Sequence, residues 1–387
     1  MNTSNLASII INNYNYARFL REAVDSALNQ TYRNTEVIVV DDGSTDGSRE
    51  IIASYGDRII PVLKENGGQT SAVNAGFSTS KGSVIFFLDA DDALFSTGVE
   101  RAVDLFKEDV AKAQWRLVLI DADSKDTGEV MIRDLSEDDP RDLVRTKCPF
   151  CYPTPPMSGN AWSRAFLESV FPLPEVGKEF KIVSKGAEGP DEYLSALAPL
   201  FGRVIGVPEL QGYYRLHGTN GYSSLPFDER VKHDLLLFDR CLAAVHSYCG
   251  KLGIDIDAER WRQDSWEHRV YRAAQEINAL IPANASFILV DEDLWDAGDF
   301  VAGRRRIPFL EREGKYWGRP SDDATAIGDL ERLRQSTADF LVFAWPAFWW
   351  LDHYTEFNRH LNSEFRCVLQ NNDVMMFDLR RPETVGA

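Results

Sequence analysis

Residues 84–92 read Val84-Ile85-Phe86-Phe87-Leu88-Asp89-Ala90-Asp91-Asp92. An apolar, β-favouring run stops abruptly at carboxylates, as a buried strand does where it leaves the core at the carboxyl edge of a sheet. The runs upstream also end at polar residues. Ala7 to Ile11 is a first strand closing on Asn12-Asn13-Tyr14, and Glu36 to Val40 a second closing on Asp41-Asp42-Gly43-Ser44. Ile59 to Leu63 is a third, leading into Glu65-Asn66-Gly67-Gly68-Gln69. Between them Phe19, Leu20, Ala23, Val24, Ala27 and Leu28 recur at helical spacing, and Ser44 or Asp46 can cap a helix carrying Ile51 and Ile52. Thr70 to Phe77 reads as a further short helix. Such alternation predicts βαβ units and a doubly wound, mostly parallel α/β sheet, with the ligand beyond the carboxyl ends of its strands.

The chain has 387 residues, room for two or three domains at about 100–200 residues each. Its 42 basic and 60 acidic residues leave a net charge of −18, which excludes nucleic acid as a partner on electrostatic grounds. No apolar run reaches the roughly 18–20 residues that span a bilayer; the longest, Phe340 to Leu351, is broken by Pro346. Met1-Asn2-Thr3-Ser4-Asn5 has no basic leader region, so the expected location is cytoplasmic, with peripheral association at the inner face of the membrane as the outer limit. Cys148-Pro149-Phe150-Cys151 has a C-x-x-C spacing, but Tyr152-Pro153-Thr154-Pro155-Pro156 forbids the helix a redox motif needs. Reduced thiols are expected throughout.

The turn after the first strand holds Asn12-Asn13-Tyr14 where a dinucleotide fold would need G-x-G-x-x-G, and no Walker-type loop occurs. Phosphate must then be met by carboxylates, which requires a divalent cation between them.

In order and spacing, these residues resemble family 2 glycosyltransferases, nucleotide-sugar-dependent enzymes with a Rossmann-like fold called GT-A. The resemblance rests on Asn13-Tyr14, Asn29-Gln30-Thr31-Tyr32, Val39-Val40-Asp41-Asp42-Gly43-Ser44-Thr45-Asp46, Asn66-Gly67-Gly68 with Asn74-Ala75-Gly76, and Phe87-Leu88-Asp89-Ala90-Asp91-Asp92. It covers about residues 5–225. It implies that Asn12 and Tyr14 bracket the donor base and that Asp41 or Asp42 accepts from the base or ribose, with Asn66, Gly67 and Gly68 in the same nucleotide-sugar site. Asp89-Ala90-Asp91 becomes the D-x-D element, Asp89 toward the ribose and Asp91 on Mn²⁺ or Mg²⁺, with Asp89 close enough to share the ion and Asp92 assisting. A second triplet, Asp121-Ala122-Asp123, leads into Ser124-Lys125-Asp126-Thr127-Gly128 and reads as a hairpin turn instead.

The resemblance also implies a base from a separate segment. Glu188-Gly189-Pro190-Asp191-Glu192-Tyr193-Leu194 sits where the family carries an acidic pair, and the register puts the base on Asp191. Pro190 replaces the usual first acid, which leaves Glu188 or Glu192 to share the role; the alternative is that Asp191 caps the following helix. Gly159, Asn160 and Trp162 fall in the acceptor-side segment, with Trp162 either stacking on a sugar ring or serving as a half-buried core tryptophan. His217 is a third candidate metal ligand, and Arg215 a phosphate contact.

The expected organisation is a GT-A catalytic domain over 1–225, a helical connector over 226–282, and a small α/β domain over 283–387. In the last, Phe287 to Val290, Phe340 to Phe343 and Val374 to Phe377 read as strands and Ala326 to Leu333 as a helix. Asp291-Glu292-Asp293, Arg304-Arg305-Arg306 and Trp345-Pro346-Ala347-Phe348-Trp349-Trp350 stand out there without a partner motif. The implied activity is metal-dependent, inverting transfer of a sugar from a nucleotide diphosphate, UDP by preference, to a glycan or lipid-linked acceptor, in polysaccharide or glycoconjugate synthesis. Retention is the weaker reading of the stereochemistry. The rivals are a non-catalytic nucleotide-sugar-binding scaffold and a sugar nucleotidyltransferase. Donor sugar, linkage and oligomeric state are not legible.

Overall fold

The computed structural model describes residues 6–107, 109–132, 135, 139–148, 150–176, 188–218, 220, 225, 227–295, 301 and 303–380. Pro149 of the C-x-x-C stretch and Thr219 beside His217 lie outside the described residues. The chain forms two compact units, Met1–Leu225 with His233–Arg262, and Pro226–Lys232 with Gln263–Ala387. The segment expected as a connector thus divides between the two.

Unit 1 is built on a nine-stranded sheet in the order β3-β2-β1-β4-β8-β6-β9-β5, with β7 paired to β6. β1 (Ala7–Asn13), β2 (Thr35–Asp42), β3 (Ile60–Lys64) and β4 (Val84–Asp89) are parallel. Beyond β4 the sheet is mixed: β8 (Asn160–Ser163) is antiparallel to both β4 and β6 (Val110–Ile120), whereas β9 (Arg203–Arg215) runs parallel to β6. β5 (Ala93–Leu94) pairs with β9, and β7 (Asp126–Met131) closes a hairpin on β6 at the Asp121–Lys125 turn, as the turn residues predict.

The strands run further toward their carboxyl ends than the apolar pattern alone predicts. Pairing continues into the polar residues because Asn13 lies opposite Asp41, and Asn12 opposite Asp89. Asp41 is wholly buried, so its oxygens need partners, and Asn13 Nδ2 supplies one at 3.0 Å. Asp46 serves two helix starts, accepting from Ser48 N at 3.0 Å and from Ala17 N at 2.9 Å. Apolar residues on the two faces of the sheet form separate cores, one around Ile10, Ile38, Val40, Phe87 and Leu194, the other around Ile9, Ile11, Val24, Val39 and Phe86. The alternation of neighbours along β1 between those cores is the period of two that a sheet covered on both faces requires.

Unit 2 is a smaller α/β body. Ser286–Val290 is flanked in parallel by Arg305–Pro308 and Phe340–Ala344, and the sheet continues antiparallel through Val374–Asp378 and Arg366–Gln370. The expected helix over Ala326 to Leu333 is Asp323–Ser336, capped by Asp322. The arginine run is part of a strand, with Arg304 bonded to Ile281 O and Asn278 and Arg306 to Trp295 O. Asp291 is buried at its strand end and accepts from Trp295 N at 2.9 Å; burial pushes its carboxyl up to about 6. Trp350 is buried and donates to Glu292, while Arg319 lies over the Trp349 ring at 5.0 Å. Among the described residues no helix is long and apolar enough to cross a membrane, and Cys148, Cys151, Cys241, Cys249 and Cys367 are unbridged.

The helix Gln69–Thr79 lies against β1 and β2, and Gly76 marks its closest approach: a Cβ there would stand 2.3 Å from Ile10 Cγ2. Gly76→Ala is therefore expected to destabilise unit 1 by about 1–3 kcal/mol through overpacking. Urea denaturation checks this; a loss under about 0.5 kcal/mol would mean that the helix is not seated on Ile10.

Candidate active site

The carboxyl ends of β1, β2 and β4 bring the expected donor-site residues into one row. Asn12 donates to Asp89 Oδ1 at 2.7 Å, and Gln69 Nε2 reaches the same oxygen at 3.4 Å, so Asp89 is oriented from both sides. Asn12 Oδ1 is buried and without a protein partner, which leaves an acceptor at the strand end. Tyr14 is 47% exposed just beyond it. Burial works against the charge of Asp41, yet hydrogen bonds from Ser44, Arg49 and Asn13 hold its carboxyl below the usual range. Asp42 organises the next loop: its oxygens accept from Gly67 N at 3.0 Å, from Gly68 N at 2.8 Å and from Lys64 Nζ, and its carbonyl takes Asn66 Nδ2 at 3.0 Å. Asp41 and Asp42 thus shape the walls of the pocket, each with its oxygens already engaged.

Glu188, one of the acids left open as a base, instead closes a helix start. Its Oε2 accepts from Thr70 N at 2.8 Å, in the first turn of Gln69–Thr79, where an uncompensated N–H and the positive end of the helix both favour a carboxylate. Gly68 has a φ of +93° and stands so close to Glu188 that a side chain would not fit.

The D-x-D turn is tied down by β9. Arg215 is 1% exposed, donates from Nε to Asp91 O at 2.7 Å and from NH1 to Ser124 Oγ at 2.7 Å, and pairs with Glu22 Oε2 at 2.6 Å. Asp92 Oδ1 accepts Arg215 N at 2.9 Å, so Asp92 does not cap the next helix. The phosphate contact expected of Arg215 is replaced by this anchoring role, because its guanidinium faces inward and is occupied. The Asp121–Lys125 turn also joins in, through Asp121 O and Ser124.

Asp91 Oδ2 and His217 Nε2 lie 2.8 Å apart. Two neighbouring positions around a small divalent ion with bonds of about 2.1 Å have nearly that separation, and a carboxylate with an imidazole suits Mn²⁺ in particular. Among the described residues no group of three or more His, Cys, Asp or Glu side chains forms a metal cluster, so this pair would need oxygens from a ligand to complete a coordination shell. The electrostatics fit a cation. Burial first, and Asp91 second, push Asp89 up to about 7 and Asp92 well above the usual carboxyl range. Tyr214 is held protonated by burial and then by Asp92, Asp89, Asp91 and Asp191, so all four carboxyls act on one hydroxyl.

Asp191 enters from the helix Pro190–Phe201. Gly189, in the left-handed region at φ +59°, takes the cap position and Pro190 the first helical one, so Asp191 stands inside the first turn. Its carboxyl is raised well above the usual range, by burial first and then by neighbouring Glu192. The acceptor-side residues have different places from those expected. Trp162 is fully buried, with no face open to a sugar; Asn160 donates to Pro155 O, Pro156 O and Met157 O; and Gly159 packs on Pro155. They shape the floor beneath the site, and neighbouring Ser158 bonds the D-x-D strand at Asp89 N, 3.1 Å.

Sequence reasoning missed Lys112 on β6, which is fully buried and donates to Ser195 Oγ at 2.8 Å. It also missed Glu22, the counter-charge of Arg215. A lysine inside the apolar run Val110-Ala111-Lys112-Ala113 was the available signal for the first. Nothing local marked Glu22 among the acids of an amphipathic helix.

Residues 8–115 match the sequence model described as Glycosyl transferase family 2. A protein named as an uncharacterized glycosyltransferase in Nostoc sp. (strain PCC 7120) is 39% identical over 224 residues, 56% of this chain and 66% of that protein. Another so named, in Rickettsia prowazekii, is 47% identical over 105 residues, 27% of this chain and 33% of that protein. The chain thus spans less than two thirds of either relative. The crystal structure of residues 1–349 of S. aureus TarS with UDP-GlcNAc aligns at a TM-score of 0.50 and 16% identity, over 71% of this chain and 76% of that one, a likeness of fold.

Arg215→Met would leave Asp91 O, Ser124 and Glu22 without their donor, and is expected to cost about 2–4 kcal/mol of stability. Chemical denaturation monitored by tryptophan fluorescence measures it, and a cost near zero would show that the guanidinium does not hold the turn.

Proposed function

We propose that this chain, which matches the Glycosyl transferase family 2 model over residues 8–115, transfers a sugar from a nucleotide diphosphate, UDP first among the candidates, to a hydroxyl of a glycan or lipid-linked acceptor with inversion at the anomeric carbon. The observation that carries the reading is the convergence of Asp89, Asp91 and Asp92 with Asp191 and His217 at the carboxyl ends of the strands. A scaffold that merely held a nucleotide would have no use for the separate buried acid of Asp191.

In this reading the nucleoside lies along the β1–β4 edge. Tyr14 offers a ring for the base, Asn12 Oδ1 an open acceptor, and Asp89, oriented by Asn12 and Gln69, accepts from the ribose. Asp41 and Asp42 fix the loops that flank it, with Asn66, Gly67 and Gly68 bringing backbone close to the donor. Asp91 and His217 would hold a divalent ion, Mn²⁺ or Mg²⁺, which when bound neutralises charge developing on the leaving diphosphate.

Asp191 supplies the other half of the chemistry. Its carboxylate takes the proton of the acceptor hydroxyl as that oxygen bonds to the anomeric carbon, on the face opposite the breaking bond to the diphosphate. One bond forms, one breaks, the proton ends on Asp191, and the configuration inverts. A carboxyl raised by burial is suited to the task, since a base with a higher pKa holds the transferred proton more firmly. The acceptor is expected to belong to polysaccharide or glycoconjugate synthesis, reached from the cytoplasmic side, where a lipid-linked acceptor would bring the protein to the membrane surface.

Asp91→Ala is expected to abolish metal-dependent binding of UDP-sugars, whereas Asp191→Asn keeps binding within about threefold and loses about 10²–10⁴ in turnover. Calorimetry with a panel of UDP- and GDP-sugars, in Mn²⁺ or chelator, gives the first; release of UDP, with water or an oligosaccharide as acceptor, gives the second. Equal loss of binding in both variants would contradict the division of roles, and folded wild-type protein that binds no sugar nucleotide would favour a scaffold.

A further inference from the structure

Lys112 has no part in the mechanism above, and its placement is costly enough to need a reason. It lies in the middle of the sheet, opposite Trp162 on β8 and Val204 on β9, with no exposure to solvent. An ammonium removed from water loses several kcal/mol of hydration unless charges or hydrogen bonds replace it. Here Nζ donates to Ser195 Oγ at 2.8 Å, and lies 5.1 Å from the Trp162 ring and 5.5 Å from that of Tyr152. The Tyr152 hydroxyl donates to Ser195 O at 2.6 Å and so locks the same helix turn from below.

Ser195 is one turn on from Asp191 in the helix Pro190–Phe201, so both project from the same face. The lysine beneath Ser195 is therefore beneath the base. Asp191 and Glu192 are the two charges that act on Lys112. Burial draws its ammonium down to about 7 and the two carboxyls oppose that, while the lysine in turn works against the rise of Asp191.

The placement of Lys112 shows what it can do for the base. Burial and the neighbouring carboxyl of Glu192 both act against ionisation of Asp191, and Lys112, one helical turn beneath it, acts the other way. Without the lysine, burial and Glu192 would act on Asp191 with less to oppose them and favour its protonated form, which is no base. The other groups near Asp191 do not substitute. Asp89 adds negative charge from the end of β4, Tyr214 and Cys241 are held protonated, and the guanidinium of Arg240, bonded to Glu188 O and Pro174 O, acts on Glu192 and not on Asp191.

We propose that Lys112 is a positioning residue that keeps Asp191 in its proton-accepting form and sets the pH range over which the enzyme transfers sugar. The inference rests on the reading of Asp191 as the base, and it adds a requirement which that reading alone does not contain.

The test compares wild type with Lys112→Met, similar in volume but without charge, and with Lys112→Arg, which restores charge. Wild-type activity is lost as pH falls through the apparent pKa of Asp191. In Lys112→Met that limb should move up by about one unit or more, giving about tenfold lower kcat/KM on the acid side and recovery at high pH. Sugar-nucleotide affinity should stay within about twofold, and Lys112→Arg should move the limb back. Carbon-13 NMR of labelled aspartate carboxyls, with Asp191 assigned through Asp191→Asn, should show the same upward shift without any acceptor. A uniform loss of rate with an unmoved limb, or an unmoved Asp191 titration, overturns the proposal. If Lys112→Met does not fold, Ser195→Ala removes the hydrogen bond alone and should shift the Asp191 titration in the same direction by less; no shift overturns the proposal equally. Failure of the wild type to bind or turn over any sugar nucleotide would instead reject the transferase reading, while the NMR titration would still decide the role of the lysine.

Discussion

Four carboxyl groups from two segments, Asp89, Asp91, Asp92 and Asp191, act on the one hydroxyl of Tyr214, and burial with neighbouring charge pushes Asp89, Asp92 and Asp191 up, so negative charge there calls for a cation. Much of unit 1 follows from that constraint. The β1–β4 and β1–β2 registers put the acids and amides of the strand ends into a single row. Arg215 contributes a positive charge, but its guanidinium is anchored behind the D-x-D turn by Glu22 and Ser124. Lys112 contributes a second, beneath the helix that carries Asp191. Asp91 and His217, paired at 2.8 Å, are the residues that would hold a divalent ion in the proposed reading.

The scaffold makes this arrangement rigid enough to matter. Asp42 binds the Gly67–Gly68 turn, Glu188 closes the start of the next helix, and Asn160 locks the segment before β8. Asp42 and Glu188 are buried groups with partners on distant segments, so each fixes one loop relative to another, while Asn160 fixes the turn of its own segment. Holding reacting groups in place before the substrate arrives is the main way such a site can favour its transition state.

Much of this was legible in the sequence. Apolar runs ending in polar residues located β1 to β4, and the turn chemistry of Ser124-Lys125-Asp126-Thr127-Gly128 separated the second D-x-D triplet from the first. The pair of Asp91 and His217, 126 positions apart, was reached through the resemblance and then brought to 2.8 Å by β9. What stayed hidden has a common cause: whether a side chain faces solvent or protein depends on what packs on the other side. Trp162 and Arg215 were candidates for contact with sugar and phosphate because of their chemistry, and both turned out to be covered. Lys112 was silent for the opposite reason, since its meaning comes from Asp191 and Ser195, some eighty positions away. In unit 2 the acids, arginines and tryptophans that stood out in the sequence are largely satisfied among themselves.

The central claim is that the acids of the strand ends form a donor site completed by metal and nucleotide together. Electron paramagnetic resonance of Mn²⁺ titrated with the wild-type protein tests it most directly. With only Asp91 and His217 as side-chain ligands, the account predicts weak uptake of Mn²⁺ by the protein alone and strong loss of the free-ion signal when UDP is added. Equally tight uptake without nucleotide, or none with it, would contradict the account.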